Sequence, residues 1–191
     1  MKRALPLTRL AQQLLAQALG PGDLAVDATA GNGHDTLWLA QRVSPDGQVY
    51  AFDIQAQALQ ATAQRLQAAM LGETVTLCHC GHEQLLPQVP AHWQGRVSAI
   101  TFNLGYLPGS DKQVTTLVGS TRQALGHALR LLKTGGALSV LAYRGHPGGQ
   151  AEADAVAQWF EEHAGQLDCQ VHESPGPVLY YCTRRQPRAG T

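Results

Sequence analysis

The chain has 191 residues, 44% of them hydrophobic, which is enough for one domain built around a sizeable core. Formal net charge is zero and only 15% of residues are charged, so the overall balance points to no polyelectrolyte partner, although a local patch could still steer one. No apolar run approaches the ~20 residues that a membrane-spanning helix requires.

The start, MKRALPLTRLAQQLLAQALG (1–20), is basic and then apolar, but Gln12, Gln13 and Gln17 interrupt the run and no small-residue cleavage site follows. It is read as an amphipathic helix and not as a secretory signal. Strands are expected at 24–28 (LAVDA), 48–53 (QVYAFD), 75–79 (VTLCH), 97–102 (VSAITF), 137–142 (ALSVLA), 167–173 (LDCQVHE) and 178–183 (VLYYCT). Helical patterns fall at about 35–42, 55–71, 113–132 and 151–164, with a short one near 83–87. This alternation predicts a mostly parallel sheet with helices on both faces, and the continuously apolar central strands agree with burial on both sides. Only SPGP separates the last two strands, so they form an antiparallel hairpin at a sheet edge. The fold class is therefore α/β, a Rossmann-like seven-stranded sheet with an antiparallel C-terminal hairpin, in one domain over 1–191 with a fraying tail at 184–191. Four cysteines occur, at 78, 80, 169 and 182, without a Cys-x-x-Cys pair. CHCGH (78–82) raises a metal reading through Cys78, Cys80 and His82, but its single-residue spacing is narrower than zinc sites use. Buried reduced thiols in a cytoplasmic protein, and no metal, are expected.

VDATAGNGHDT (26–36) runs from the first strand into a turn at Gly31 and Gly33. Glycines there permit a tight turn and let a ligand approach the backbone; a tight turn without a ligand is the competing reading. Thr36 stands where a dinucleotide fingerprint needs a third glycine, and no phosphate loop of the Gly-x4-Gly-Lys-Ser/Thr kind is present. Asp53 ends the second strand, where a carboxylate can accept hydrogen bonds from ribose hydroxyls; capping the next helix is its alternative role. Asp27 ends the first strand likewise. Two acidic strand ends without the third glycine suit S-adenosylmethionine better than NAD. That cofactor has a ribose and adenine but no pyrophosphate, and its cationic sulfonium and amino group favour acidic walls.

TFNLGYLPGSDK (101–112) follows the fourth strand, with Asn103 at its end and Tyr106 three residues on. An amide oxygen can accept a hydrogen bond from an amine and orient its lone pair, and a tyrosine ring can stack on a planar base. A turn-forming Asn103 and an anchoring Tyr106 are the structural alternatives. No cysteine lies in this loop, which disfavours methylation at a pyrimidine carbon relative to nitrogen. AYRGHPGG (142–149) ends the fifth strand. An alkylammonium has a pKa of ~10 and must lose a proton before it attacks; His146 is the candidate acceptor, or a packing histidine. Arg144 or Lys112 could hold a phosphate. His34 and His82 are read as ligand-contact or capping residues, and His92, His127, His163 and His172 as surface positions. Basic residues near the termini (Lys2, Arg3, Arg9, Arg184, Arg185, Arg188) could touch RNA or could be solvated ends.

DATAGNGHDT, AFDIQ, FNLGYLPGSDK and RGHPGG together resemble, in order and over most of the chain, the MnmM-type (YtqB-like) methyltransferases formerly labelled rRNA methylases. The resemblance implies a class I methyltransferase fold that uses S-adenosyl-L-methionine. It also implies conversion of 5-aminomethyl-(2-thio)uridine at the tRNA wobble position to the 5-methylaminomethyl form. The implied partner is a tRNA anticodon stem-loop, with no membrane; some methyltransferases of this size pair to enlarge their RNA surface, so a homodimer is one candidate assembly and a monomer the other. It places Asn32, Gly33, His34 and Asp35 around the methionine part of the cofactor, Asp53 and Gln55 near its ribose and adenine, and Gly81 and His82 in the third-strand loop. Asn103 and Tyr106 then face the substrate, at the spacing of the Asn-Pro-Pro-Tyr loop of similar amino-methyltransferases. The chain departs from the family at Gly81, where serine is usual, at Arg144, where histidine is usual, and at Gly148-Gly149, where an acidic-Gly pair is usual. A methyltransferase for rRNA or a small-molecule amine, and a non-catalytic nucleotide- or RNA-binding module, stay open as alternatives.

Overall fold

A computed structural model describes residues 5–105 and 116–187. The amphipathic N-terminal pattern forms α1 (Leu7–Leu15), which starts after Pro6, a residue whose missing N–H costs nothing at a helix entry. It ends at Leu15, where the chain tightens into turns in which Gln17 N–H donates to Leu14 O and Ala18 N–H to Leu15 O, ahead of Gly20, Pro21 and Gly22. Seven strands follow: β1 (Leu24–Asp27), β2 (Gln48–Asp53), β3 (Val75–His79), β4 (Val97–Leu104), β5 (Leu132–Tyr143), β6 (Leu167–Glu173) and β7 (Pro177–Arg184). The helices α2 (His34–Val43), α3 (Ala56–Ala68), α4 (Leu85–Gln88), α5 (Val118–Leu131) and α6 (Gly149–Glu162) lie between them.

The strands form one sheet in the order β3-β2-β1-β4-β5-β7-β6. The first five are parallel, and β7 runs antiparallel to both β5 and β6. Strand order reverses between β1 and β4, so the crevice beyond their carboxyl ends is where a ligand belongs. One face of the sheet packs Phe52, Ile100, Phe102 and Val140 against Leu125, Val156 and Trp159 of α5 and α6. On the other face Ala25, Ala99 and Ala137 meet Leu15, Leu39, Val43 and Leu66 of α1, α2 and α3. Ala11 of α1 also sits on Leu141 of β5 and Leu179 of β7. Side chains alternate along a strand, so Asp27, Asn103, Leu141 and Tyr143 all belong to the face that carries α1 to α3.

Four local features differ from the sequence pattern. β5 begins at Leu132, not 137, because LKTGG enters the sheet as a bulge: Val97 pairs with Leu132, yet Ala99 pairs with Ala137, and Gly135 takes φ +75°. Residues 82–84 form a 3₁₀ turn before the four-residue α4. Cys169 and Cys182 are bonded as a disulfide, which corrects the all-thiol expectation. They face each other directly across β6 and β7, where Cβ atoms come within bonding reach; Cys78 and Cys80 are free. His163 is also not a plain surface residue, since its ring stacks on Trp159 with centroids 4.0 Å apart. Because β7 is antiparallel, Arg184 and Arg185 end at the amino ends of the parallel strands, where they donate to the carbonyls of Leu132 and Leu167. They therefore stand at the opposite end of the sheet from Asn103. Among the described residues no helix is long and apolar enough to cross a membrane.

Leu179→Ala tests the seat of α1. Truncating this fully buried side chain is expected to cost ~2–5 kcal/mol, measured by denaturant unfolding.

Candidate active site

The turn after β1 is held from three sides. Ala30 N–H donates to Phe52 O at 2.8 Å and Gly31 N–H donates to Asp53 Oδ2 at 2.9 Å, so the loop is tied to the end of β2. Asp53 Oδ1 accepts Gln55 N–H at 2.9 Å, and no side chain caps α3. Asp53 thus ties the glycine turn to the end of β2 and does not cap the helix. From α3, Thr62 Oγ1 donates to Gly31 O at 3.0 Å and Arg65 Nε to Asn32 O at 3.0 Å. Gly33 has φ +77°, and a Cβ there would lie 2.8 Å from the Thr62 Cα. Glycine is required at that position by both conformation and space. His34, exposed at the start of α2, has its Nε2 3.5 Å from Arg65 Nη2.

The carboxylate of Asp35, also in the first turn of α2, binds two amides. Gln12 Nε2 of α1 donates to Oδ1 at 2.7 Å, and Asn103 Nδ2 of β4 donates to Oδ2 at 2.8 Å. Asn103 N–H in turn donates to Thr29 Oγ1 at 2.7 Å. A carboxylate can only accept. The NH₂ end of Asn103 must therefore face Asp35, which turns Oδ1 away as an acceptor for something else. Neither Gln12 nor Thr29 is detectable as a site residue from the sequence; Gln12 reads there as an interruption of an apolar run.

Asp27 is completely buried. Its Oδ2 accepts Thr36 Oγ1–H at 2.6 Å and its Oδ1 accepts Thr29 N–H at 3.1 Å. Burial, with the charges of Asp35 and Asp53 adding to it, pushes its pKa up to about 7 despite those two hydrogen bonds. Thr36, the residue that breaks the dinucleotide fingerprint, thus serves as the hydroxyl partner of a buried acid. Among the described residues no lysine or arginine forms an ion pair with Asp27, Asp35 or Asp53. Asp35 and Asp53, partly exposed and without a lysine or arginine ion pair among the described residues, form a surface that attracts a positively charged ligand.

The remaining predicted residues divide. In the third-strand loop Gly81 is half-buried, and a Cβ there would run into the flexible carboxylate of Glu83. His82 is buried, tilted against Phe102 at 5.8 Å; burial lowers its pKa to about 4, so its ring is neutral. His146 is buried beside the exit of β4: a Cβ on Gly105 would lie 3.5 Å from its Nε2, and its Nδ1 is 3.1 Å from Pro147 O. Arg144 does not open toward the crevice. Its guanidinium donates to Ser174 O at 2.7 Å and Gly176 O at 3.2 Å and pairs with Glu173 at 3.5 Å, clamping the turn between β6 and β7. Tyr106 and Lys112 lie outside the described residues. At the flanks of that segment, Thr116 N–H donates to Gly105 O at 3.1 Å. Thr116 and Thr121 hydroxyls donate at 2.6 and 2.5 Å to the buried carboxylate of Glu152, another group without a sequence signature.

A protein-family model described as "Putative rRNA methylase" matches residues 49–173. The chain belongs to that family. A curated relative, the "tRNA (mnm(5)s(2)U34)-methyltransferase, chloroplastic" of Arabidopsis thaliana, is 39% identical over 160 residues, covering 78% of this chain and 57% of the relative. The chain thus spans little more than half the length of that protein. Among solved structures, a "putative rRNA-methylase" from Clostridium thermocellum superposes with a TM-score of 0.89 at 31% identity, over 95% of this chain and 99% of that one. A "putative methyltransferase" from Streptococcus mutans in complex with SAH superposes with a TM-score of 0.84 at 30% identity, over the same shares. The Rossmann-like methyltransferase architecture expected from the sequence is the architecture of this family member.

The proton on Asp27 makes stability depend on pH. Between the ordinary carboxyl value of 3.8 and about 7, the folded state holds this proton and the unfolded state does not. Folding takes up a proton in that window, so the contribution of Asp27 to stability falls as pH rises from ~4 to ~7 and levels off above. Asp27→Asn keeps both hydrogen bonds if the Thr36 hydroxyl turns to accept. The variant is expected to gain stability relative to wild type steadily over that window, with a constant difference above it, in thermal melts followed against pH.

Proposed function

We propose that the protein is an S-adenosylmethionine-dependent N-methyltransferase that converts the 5-aminomethyl group of a tRNA wobble uridine, with or without a 2-thio group, to 5-methylaminomethyl. The anticodon stem-loop is its macromolecular partner. The observation that carries this reading is the fixed Asn103 amide: its NH₂ end is bound to Asp35, which leaves Oδ1 to accept an N–H from an incoming amine.

The residues around the crevice fit the cofactor. Gly33, where a Cβ would collide with Thr62, lets the Gly31–Gly33 turn pack directly on α3 and holds its backbone at the carboxyl end of β1. Asp53 and Gln55 stand at the end of β2, where ribose hydroxyls find an acceptor, and the uncompensated carboxyl groups suit a sulfonium and an ammonium. When bound, S-adenosylmethionine supplies a methyl group already activated by positive charge on sulfur. The protein's own task is to position and to handle a proton. Asn103 Oδ1 accepts one amine N–H and aims the lone pair, held by Asp35 on its side chain and by Thr29 on its backbone. His146, beside Gly105, is the histidine at the exit of β4 that can take the proton released when the alkylammonium becomes a free amine. Tyr106 and Lys112, on the same loop as Asn103, are assigned to the base and to a phosphate by the sequence resemblance alone.

Two variants separate the roles. Asp53→Ala is expected to weaken S-adenosylmethionine binding about tenfold or more, as loss of a charge-assisted hydrogen bond does, read by calorimetry. Asn103→Ala is expected to keep that affinity within about twofold and to slow methyl transfer by about a hundredfold. The substrate is tested by mass spectrometry of tRNA nucleosides from a deletion strain, in which 5-aminomethyl-uridine accumulates if the reading holds. Unchanged tRNA nucleosides with an altered rRNA nucleoside would reassign the substrate.

A further inference from the structure

We infer that Tyr143 is a specificity-determining residue whose ring forms a wall for the planar base that carries the amine. The inference deepens the proposed function and rests on it.

β5 is buried without a break from Gly136 to Ala142 and then ends in a tyrosine that is 37% exposed. An aromatic ring of this size left open at the carboxyl end of a central strand stands where ligands bind in a parallel sheet. Register fixes its direction. Asn103 pairs with Leu141, so Asn103, Leu141 and Tyr143 emerge on one face, and Tyr143 is one step further out along the neighbouring strand. Two separate observations place it at the same crevice as Asn103. A Cβ on Gly105, two residues beyond Asn103, would come 3.5 Å from the Tyr143 Cβ. Burial and the charge of Asp35, the carboxylate that holds Asn103, raise the phenol's pKa, so the hydroxyl stays protonated and can donate.

The backbone beneath the ring is rigid. Tyr143 pairs with Pro177 of β7, and Arg144, the next residue, is fastened by three contacts to residues 173–176. Arg144 is therefore a positioning residue: it sets the exit angle of β5 and with it the place of the tyrosine. An amine presented to Asn103 Oδ1 hangs from its base by a single methylene. That base must lie within a few ångströms of Asn103, on the side that Tyr143 borders. A π-face there favours any planar ring, and the phenol O–H adds a donor for a ring carbonyl.

The test uses the purified full chain and tRNA from a strain lacking the methyl group, with Tyr143→Ala and Tyr143→Phe beside wild type. Stacking of one base accounts for about tenfold to a hundredfold in affinity. Tyr143→Ala is expected to raise the KM for tRNA by about that factor, with the S-adenosylmethionine Kd within about twofold of wild type. Tyr143→Phe, which keeps the ring, is expected to stay within about fivefold. An unchanged KM in Tyr143→Ala overturns the inference, and so does a weakened cofactor Kd, because the ring would then be a cofactor wall. Equal losses of KM in both variants overturn the ring's role in favour of the hydroxyl. No methyl transfer by wild type itself overturns the proposed function, and the inference with it.

Discussion

One carboxylate joins three parts of the chain that are far apart in sequence. Asp35 accepts one hydrogen bond from Gln12, 23 residues before it, and another from Asn103, 68 residues after it. The first donor belongs to α1, whose seat is Leu141 and Leu179. The second ends β4 at the point where strand order reverses. Docking of the N-terminal helix on the β5–β7 pair and orientation of the Asn103 amide are therefore coupled through two oxygens of one side chain. Because both donors are neutral amides, the negative charge of Asp35 is solvated without being cancelled. A Lys or Arg in place of Gln12 would satisfy the same oxygen and remove the charge that a cationic ligand needs.

The same economy explains Asp27. Burial, and after it the charges of Asp35 and Asp53, push the pKa of this enclosed acid up to about 7. The Thr36 hydroxyl and the Thr29 amide hold it in place without neutralising it. Such a group destabilises the folded chain as pH rises and is relieved by any cation that enters. Thr29 links Asp27 to Asp35 by way of Asn103. Its backbone serves Asp27 while its hydroxyl serves Asn103.

Strands, their order of appearance, the closing hairpin and the glycine turn were legible because each has a local signature: apolar runs of strand length, SPGP between the last two, and glycines at fixed offsets. The bulge at LKTGG was not, since whether those residues pair depends on Val97 of another strand. Among site residues, strand-end acids and Asn103 stand out as polar groups at the ends of apolar runs. Gln12, Thr29, Thr62 and Glu152 do not, because their roles consist of contacts made 31 or more positions away, or 23 in the case of Gln12. Arg144 shows the converse error. A cation on a glycine-rich loop suggests a phosphate, whereas the fold brings two carbonyls and a carboxylate to it from the hairpin turn. A guanidinium's planar fork suits that set of acceptors.

Charge placement bears on how an RNA could be held. The chain has 14 Lys and Arg against 14 Asp and Glu, and several of its cations are spent internally. Arg65 braces the glycine turn, Lys133 pairs with Asp23, and Arg184 and Arg185 bond carbonyls at the far end of the sheet from Asn103. Phosphate contacts supply affinity in proportion to the number of charges neutralised and make it salt-dependent. Those cations of the described residues are taken up by acceptors within the protein, so on the proposed reading more of the recognition of a nucleotide falls to the base than to its phosphates. On that reading, a smaller phosphate contribution goes with a weaker dependence on salt and a greater weight on contacts to the base.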